Sequence, residues 1–178
     1  MRTSTGCERL NPAAAFAFAL FALATPGVLP AQAAIVLQAG QAPTAATTPS
    51  AHLVVPVLVD MDAARGADLA ALTATATWNQ KHLTLDSVAA GNFGTLTSNA
   101  TAAASGRATF SVFGVTGTLR SVTVARLFFT ATALTGVSDV SLTPTVAGNE
   151  VGRAILPLVK SRSLRVCVTA RPAPCAAD

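Results

Sequence analysis

The sequence predicts an all-β domain, a sandwich or barrel of eight or nine short strands, lying behind an N-terminal export signal. Three observations carry this reading. Apolar and polar residues alternate with period 2 along most of the chain from His52 onward. Turn residues interrupt the alternation at roughly the 8–12-residue intervals of sandwiches and barrels. Alanine is abundant, but Thr, Val and Gly are mixed in throughout and oppose helix, so no segment after the leader carries a helical period.

The first 33 residues read as a signal peptide. Arg2 and Arg9 form a positive start, Ala13 to Ala24 (AAAFAFALFALA) is an apolar run, and Pro26, Gly27 and Pro30 break it. Ala31-Gln32-Ala33 then supplies the small-x-small pattern of a cleavage site. The run is shorter than the about 20 residues that span a bilayer; the alternative reading is an N-terminal membrane anchor. Cys7 precedes the run, so it is not a lipoprotein cysteine, and cleavage removes it. The expected location is secreted or at the cell surface, with the periplasm as an alternative. Residues 34–51 read as a flexible N-terminal segment, because Ala39 to Ser50 (AGQAPTAATTPS) has little to bury, with room for a short strand at Ile35 to Leu37 before it.

The sandwich is expected over residues 52–169. In its first strand Leu53, Val55, Val57 and Val59 alternate with Val54, Pro56 and Leu58, so both faces are apolar. Pro56 has no N–H for a ladder and predicts an edge or a bulge. Asp60 to Asp68 is a loop. In the next strand Leu72, Ala74, Ala76 and Trp78 face one way, and Ala71, Thr73, Thr75 and Thr77 the other, the pattern of a sheet with one wet face. Asn79 to His82 is a turn, and Leu83, Leu85 and Val88 open the third strand. Asn92 to Arg107 reads as a loop of small residues. Further strands are predicted over Arg107 to Phe113, closed by a Gly114 to Gly117 turn, then over Ser121 to Thr132, Val137 to Val146, Glu150 to Val159, and Leu164 to Val168. Residues 170–178 form a tail.

Cys167 and Cys175 follow the leader, and two cysteines in an exported chain are expected to pair. The spacing does not fit a Cys-x-x-Cys zinc or redox site, and His52 and His82 are far away in sequence. The formal net charge is +4 and scattered, with a mild cluster at Lys160, Arg162 and Arg165. No aromatics are interleaved with that cluster, so it reads as a solvated strand face and not a nucleic-acid groove. No apolar run after the leader is long enough to cross a membrane.

With these elements in place, the chain resembles a bacterial cohesin domain. The resemblance is carried by Leu53-Val54-Val55-Pro56-Val57, by L-A-A-L-T-A-T-A-T-W-N ending at Asn79, and by L-T-L-D-S-V-x-x-G ending at Gly91. Trp78-Asn79-Gln80-Lys81-His82-Leu83 stands where that family places its Tyr-Asp-Pro-x-x-Leu turn. Gly117-Thr118-Leu119 and Val124 to Phe129 resemble its glycine turn and its L-x-x-L-x-F strand. The resemblance spans about residues 52 to 168. It implies a jelly-roll β-sandwich of about nine strands, with no catalytic activity and no cofactor. It also implies a flat sheet face offered to a dockerin, a small calcium-loaded helical module of another protein, in carbohydrate-degrading or cell-surface assemblies. The candidate partner-binding residues are Ala71, Thr73, Thr75 and Thr77. Cohesins tend to carry Asn and Asp where this chain has Ala71 and Thr73.

Three function classes stand at this point: a dockerin-type protein-binding module, a carbohydrate-binding module acting on polysaccharide, and a structural envelope domain with no discrete ligand. The chain holds no Tyr, one Trp and eight Phe, of which Phe16, Phe18 and Phe21 lie in the leader. Sugar platforms usually need several planar rings, and Trp78 falls on the apolar phase of its strand, so it is expected in the core. His82 and Asp86 share a strand face about 13 Å apart, too far for direct proton transfer. Asp60, Asp62 and Asp68 lack EF-hand spacing and read as a solvated loop. No zinc-protease, nucleophile-elbow or P-loop motif is present. Asn99-Ala100-Thr101 matches an N-glycosylation acceptor, to which the bacterial resemblance gives little weight.

Overall fold

The period-2 pattern becomes a two-layer core. The computed structural model describes residues 34–171 except Arg65, together with Cys175. The leader assigned to residues 1–33 lies outside the described residues, as does the tail beyond Arg171 apart from Cys175. The strands are β1 (Ile35–Ala39), β2 (Thr44–Thr47), β3 (His52–Asp60), β4 (Leu69–Thr77), β5 (Leu83–Ala90) and β6 (Thr95–Asn99). They continue with β7 (Arg107–Thr118), β8 (Val122–Ala131), β9 (Gly136–Gly148), β10 (Val159–Arg162) and β11 (Leu164–Val168). Among the described residues the only helical turns are short 3₁₀ segments at Ala103–Ser105 and Leu156–Leu158.

Two sheets face each other. One has the order β10-β1-β3-β8-β5 and the other β2-β11-β9-β4-β7-β6. The chain crosses repeatedly between them, as a jelly roll does. Among the described residues only the pairings of β1 with β10 and of β2 with β11 are parallel, so the first two and last two strands run side by side. Ile35, Leu37, Val55, Val57, Val59, Leu83, Leu127 and Phe129 point inward from the first sheet. Leu72, Ala74, Ala76, Phe110, Val112, Val140, Leu142 and Val166 meet them from the second. Burial of this apolar phase drives the sheets together, and every inward strand position is filled by a side chain without a charge.

Several expectations change. The segment 34–51, read as a flexible lead-in, contributes two strands. Ile35, Leu37 and Ala39 are fully buried, and β1 lies between β10 and β3. Its partner segment β2 is held by main-chain pairing to β11, which leaves no apolar signature in Thr-Ala-Ala-Thr. Gly40, at φ +74°, makes the sharp passage from one sheet to the other. Residues 92–107 contain β6, an edge strand whose side chains are mostly exposed and therefore carry no hydrophobic pattern. Among the described residues the sandwich thus has eleven strands, and the three not expected from sequence, β2, β6 and β10, are all edges.

Glu150 to Val159 does not form the expected strand. Gly152 at φ +77° and the hydrogen bond from Arg153 N–H to Asn149 Oδ1 (2.7 Å) fold it into a turn. Ala154 makes a single bridge to Gly148, Pro157 then stands in the 3₁₀ segment, and a strand resumes at Val159. The Gly114 to Gly117 turn is a bulge inside β7: Phe113 pairs with Ala71, whereas Thr118 pairs with Leu69. Pro56 sits in a central strand, yet the reason for expecting an edge holds locally. Its carbonyl accepts the Gly40 N–H at 2.8 Å, so its ring nitrogen faces the end of β1, where the neighbouring chain is already leaving the sheet. A register shift follows one residue later, between Val57 and Leu58.

Candidate functional site: the outer face of the six-stranded sheet

The outward phase of β4 lies at the middle of a broad polar face. Thr73 is opposite Ser111 on β7 and Val146 on β9; Thr75 is opposite Thr109 and Thr143; Thr77 is opposite Arg107 and Ser141. β6 extends the same surface, with Thr97 opposite Ser111 and Asn99 opposite Thr109. The hydroxyls bond across the strands, Thr73 to Ser111 at 3.0 Å and Thr75 to Thr109 at 3.2 Å. Thr145 Oγ donates to the Thr73 carbonyl at 3.3 Å. Antiparallel strands put such directly opposed side chains within reach of each other, and each pair stabilises the sheet modestly.

All four sequence-assigned residues therefore occupy one face, but not with one exposure. Thr77 is exposed, Ala71 and Thr73 are half-buried, and Thr75 is only 6 % exposed because Thr109 and Thr143 flank it. The centre of the face is neutral and its hydroxyls already have partners. A surface of that kind loses little when water is removed from it. Its charges lie toward the margins: Arg107 at one end of β7, and the Arg165–Asp139 pair (3.3 Å) on β11 and β9.

Two apolar side chains break the polar surface at one end. Phe113 is 63 % exposed and Val146 is 53 % exposed, on the two strands that flank β4. Val115, Leu119 and Val151 are also exposed in the bulge and loops beyond that end. Neither Phe113 nor Val146 was assigned from sequence. The signal for Phe113 was available: Ala108, Phe110 and Val112 are buried, so Arg107, Thr109, Ser111 and Phe113 share the outward phase.

The remaining candidates resolve in place. Trp78 is 7 % exposed and in edge-to-face contact with Phe129, so it is a core residue and not a sugar platform. Asp86 stands in a bulge of β5 and accepts a hydrogen bond from Thr130 Oγ (2.8 Å), with His52 Nδ1 3.0 Å from the same hydroxyl. His82 lies elsewhere, its ring over Gly136 and its Nδ1 3.3 Å from the Leu134 carbonyl. Asp60 Oδ1 accepts from the Asp62 N–H and from Ser121 Oγ, whereas Asp68 Oδ2 accepts the Glu150 N–H. The three loop carboxylates therefore serve two separate turns.

Cys167 and Cys175 form a disulfide with Cα atoms 5.6 Å apart. Cys175 Sγ lies 3.2 Å from the Ala45 carbonyl, so the bond holds Cys175 beside β2. Closing so short a loop is expected to contribute about 2–3 kcal/mol on the loop-entropy model. Urea unfolding with and without reductant should show a midpoint shift of that size, and the Cys167→Ser/Cys175→Ser double variant should match the reduced protein.

No family model matches this sequence, and no curated protein matches it. Solved structures do match. A non-cellulosomal cohesin from the hyperthermophilic archaeon Archaeoglobus fulgidus superposes with a TM-score of 0.63 at 13 % identity, over 77 % of this chain and 92 % of that one. The sixth cohesin of Acetivibrio cellulolyticus scaffoldin B, solved with a Cel5 dockerin, gives 0.61 at 18 % identity, over 76 % and 99 %. A type I cohesin–dockerin complex from Clostridium thermocellum gives 0.61 at 11 % identity, again over 76 % and 99 %. The two-sheet order, the jelly-roll crossings and these superpositions lead to one conclusion: the molecule is a β-sandwich with a cohesin-like fold.

Proposed function

We propose that the chain is a non-catalytic interaction module, exported to the cell surface or beyond, which holds a dockerin-type protein partner on the outer face of its six-stranded sheet. The observation that carries this is the pairing of a neutral, internally hydrogen-bonded centre with the exposed Phe113 and Val146. Interfaces draw most of their affinity from a few anchors, aromatic ones prominent among them, surrounded by near-neutral contacts that exclude water. The fold supports the same reading, since similar structures have been solved with dockerins bound.

The chain's own residues shape the partner. Ala71 and Thr73, where cohesins tend to carry Asn and Asp, give a dockerin helix no carboxylate to meet. Recognition then depends on shape and apolar contact, and affinity should change little between low and physiological salt. Titration calorimetry against a panel of dockerin modules tests the proposal. Phe113→Ala is expected to weaken the best binder by more than about tenfold, a loss above about 1.4 kcal/mol. Silence across the whole panel would sink the dockerin reading. Export rests on the Ala13 to Ala24 run and the Ala31-Gln32-Ala33 site, and N-terminal sequencing of the recovered protein should begin at Ala34.

A further inference from the structure

Asn99-Ala100-Thr101 lies at the margin of the interaction face, where β6 ends, and its motif plays no part in the proposed recognition. We propose that Asn99 is a built acceptor for N-linked glycosylation. The motif ends β6 and opens the turn into the 3₁₀ segment Ala103–Ser105, and all three of its residues are exposed. Asn99 Oδ1 accepts two hydrogen bonds from Thr101, one from the backbone N–H at 3.0 Å and one from the hydroxyl at 2.7 Å. Both act on the carbonyl end of the amide and leave Nδ2 outside the hydrogen bonds of the turn. The middle residue, Ala100, is small and is not proline, which the motif excludes.

The chain supplies its own comparison. Of the five asparagines, Asn11, Asn79, Asn92, Asn99 and Asn149, only Asn99 is followed two residues later by a hydroxyl side chain. Asn79 makes the same turn, its Oδ1 accepting the Lys81 N–H at 3.0 Å, but Lys81 offers no hydroxyl. The reaction takes a sugar carried on a polyprenyl diphosphate as its co-substrate. Asn99 Nδ2 forms a bond to the anomeric carbon as the bond from that carbon to the diphosphate oxygen breaks. Nδ2 gives its proton to a base of the transferase, and the lipid diphosphate leaves. The glycan would stand at the margin of the Thr-lined face, since Asn99 is opposite Thr109. Phe113 pairs with Thr95 at the other end of β6, about 13 Å along the strand. The proposal is independent of what that face binds.

The test is secretion of the full chain, with its own leader, from a yeast host, followed by intact-mass measurement before and after peptide N-glycanase. A single glycan is expected, released by the enzyme with Asn99→Asp conversion, retained in Thr101→Ser and lost in Asn99→Gln and Thr101→Ala. In the Asn99→Gln background, Lys81→Thr should restore one glycan at Asn79, because the turn is already there. Secreted, folded protein that carries no glycan beside a normally glycosylated control overturns the proposal. So does a glycan that survives Asn99→Gln.

Discussion

Replacing Trp78 by alanine is expected to lower the unfolding free energy by about 3–5 kcal/mol, the range for a large buried aromatic. The ring follows β4 of the six-stranded sheet, and its centroid lies 5.2 Å from that of Phe129 on β8 of the other sheet, at 72° between planes. Truncation therefore removes apolar burial, an edge-to-face contact and a link between the two layers at once. Trp78→Phe should cost much less than Trp78→Ala. The indole Nε1–H is buried with no acceptor among the described residues, and an unpaired buried donor costs on the order of 1–3 kcal/mol that phenylalanine does not incur. Because Trp78 is the only tryptophan, far-UV circular dichroism in urea is the appropriate probe. A loss below about 1 kcal/mol for Trp78→Ala, at unchanged m-value, would place the ring outside the core.

That prediction was accessible from sequence because alternation reports which face a side chain takes. It placed Leu72, Ala74, Ala76 and Trp78 inward, and they are buried. Alternation does not report exposure. Thr75 has the outward phase of Thr77, yet it is almost covered, since a residue in the middle of a six-stranded sheet has neighbours on both sides. Nor does alternation report strands held mainly by main-chain bonds, with one small or apolar side chain each against the core. β2 and β6 are short edges built from Thr, Ala, Ser and Asn with the single Leu96, and their order comes from pairing with β11 and β7, partners that are distant in sequence or across a loop. Conversely, Glu150 to Val159 contains enough Val, Ile and Leu to read as a strand, and Gly152 and Pro157 override it locally. The candidate face was legible along β4 but not across it. Phe113 and Val146 become neighbours of the β4 threonines only through the register of β7 and β9.

Gly106→Ala is expected to cost more than about 3 kcal/mol, although it adds a single methyl group. Gly106 caps the 3₁₀ segment at φ +72°, where an L-residue loses about 1–2 kcal/mol. The larger effect is steric. A Cβ at this position would lie 2.2 Å from the Trp78 carbonyl oxygen, a backbone atom that cannot rotate away. Gly152→Ala separates the two contributions. Gly152 has nearly the same backbone, φ +77°, with nothing within 4 Å of the added carbon, so it should show the conformational cost alone. The difference between the two variants measures the clash. Relief of the clash requires moving the main chain at Trp78, whose N–H also donates to the Gly106 carbonyl at 2.9 Å. That movement displaces the ring from Phe129. The losses in a Gly106→Ala/Trp78→Ala double variant should therefore fall short of their sum, because the second substitution removes packing that the first has already disturbed. Strict additivity would mean that the junction absorbs the methyl without passing the displacement on to the core.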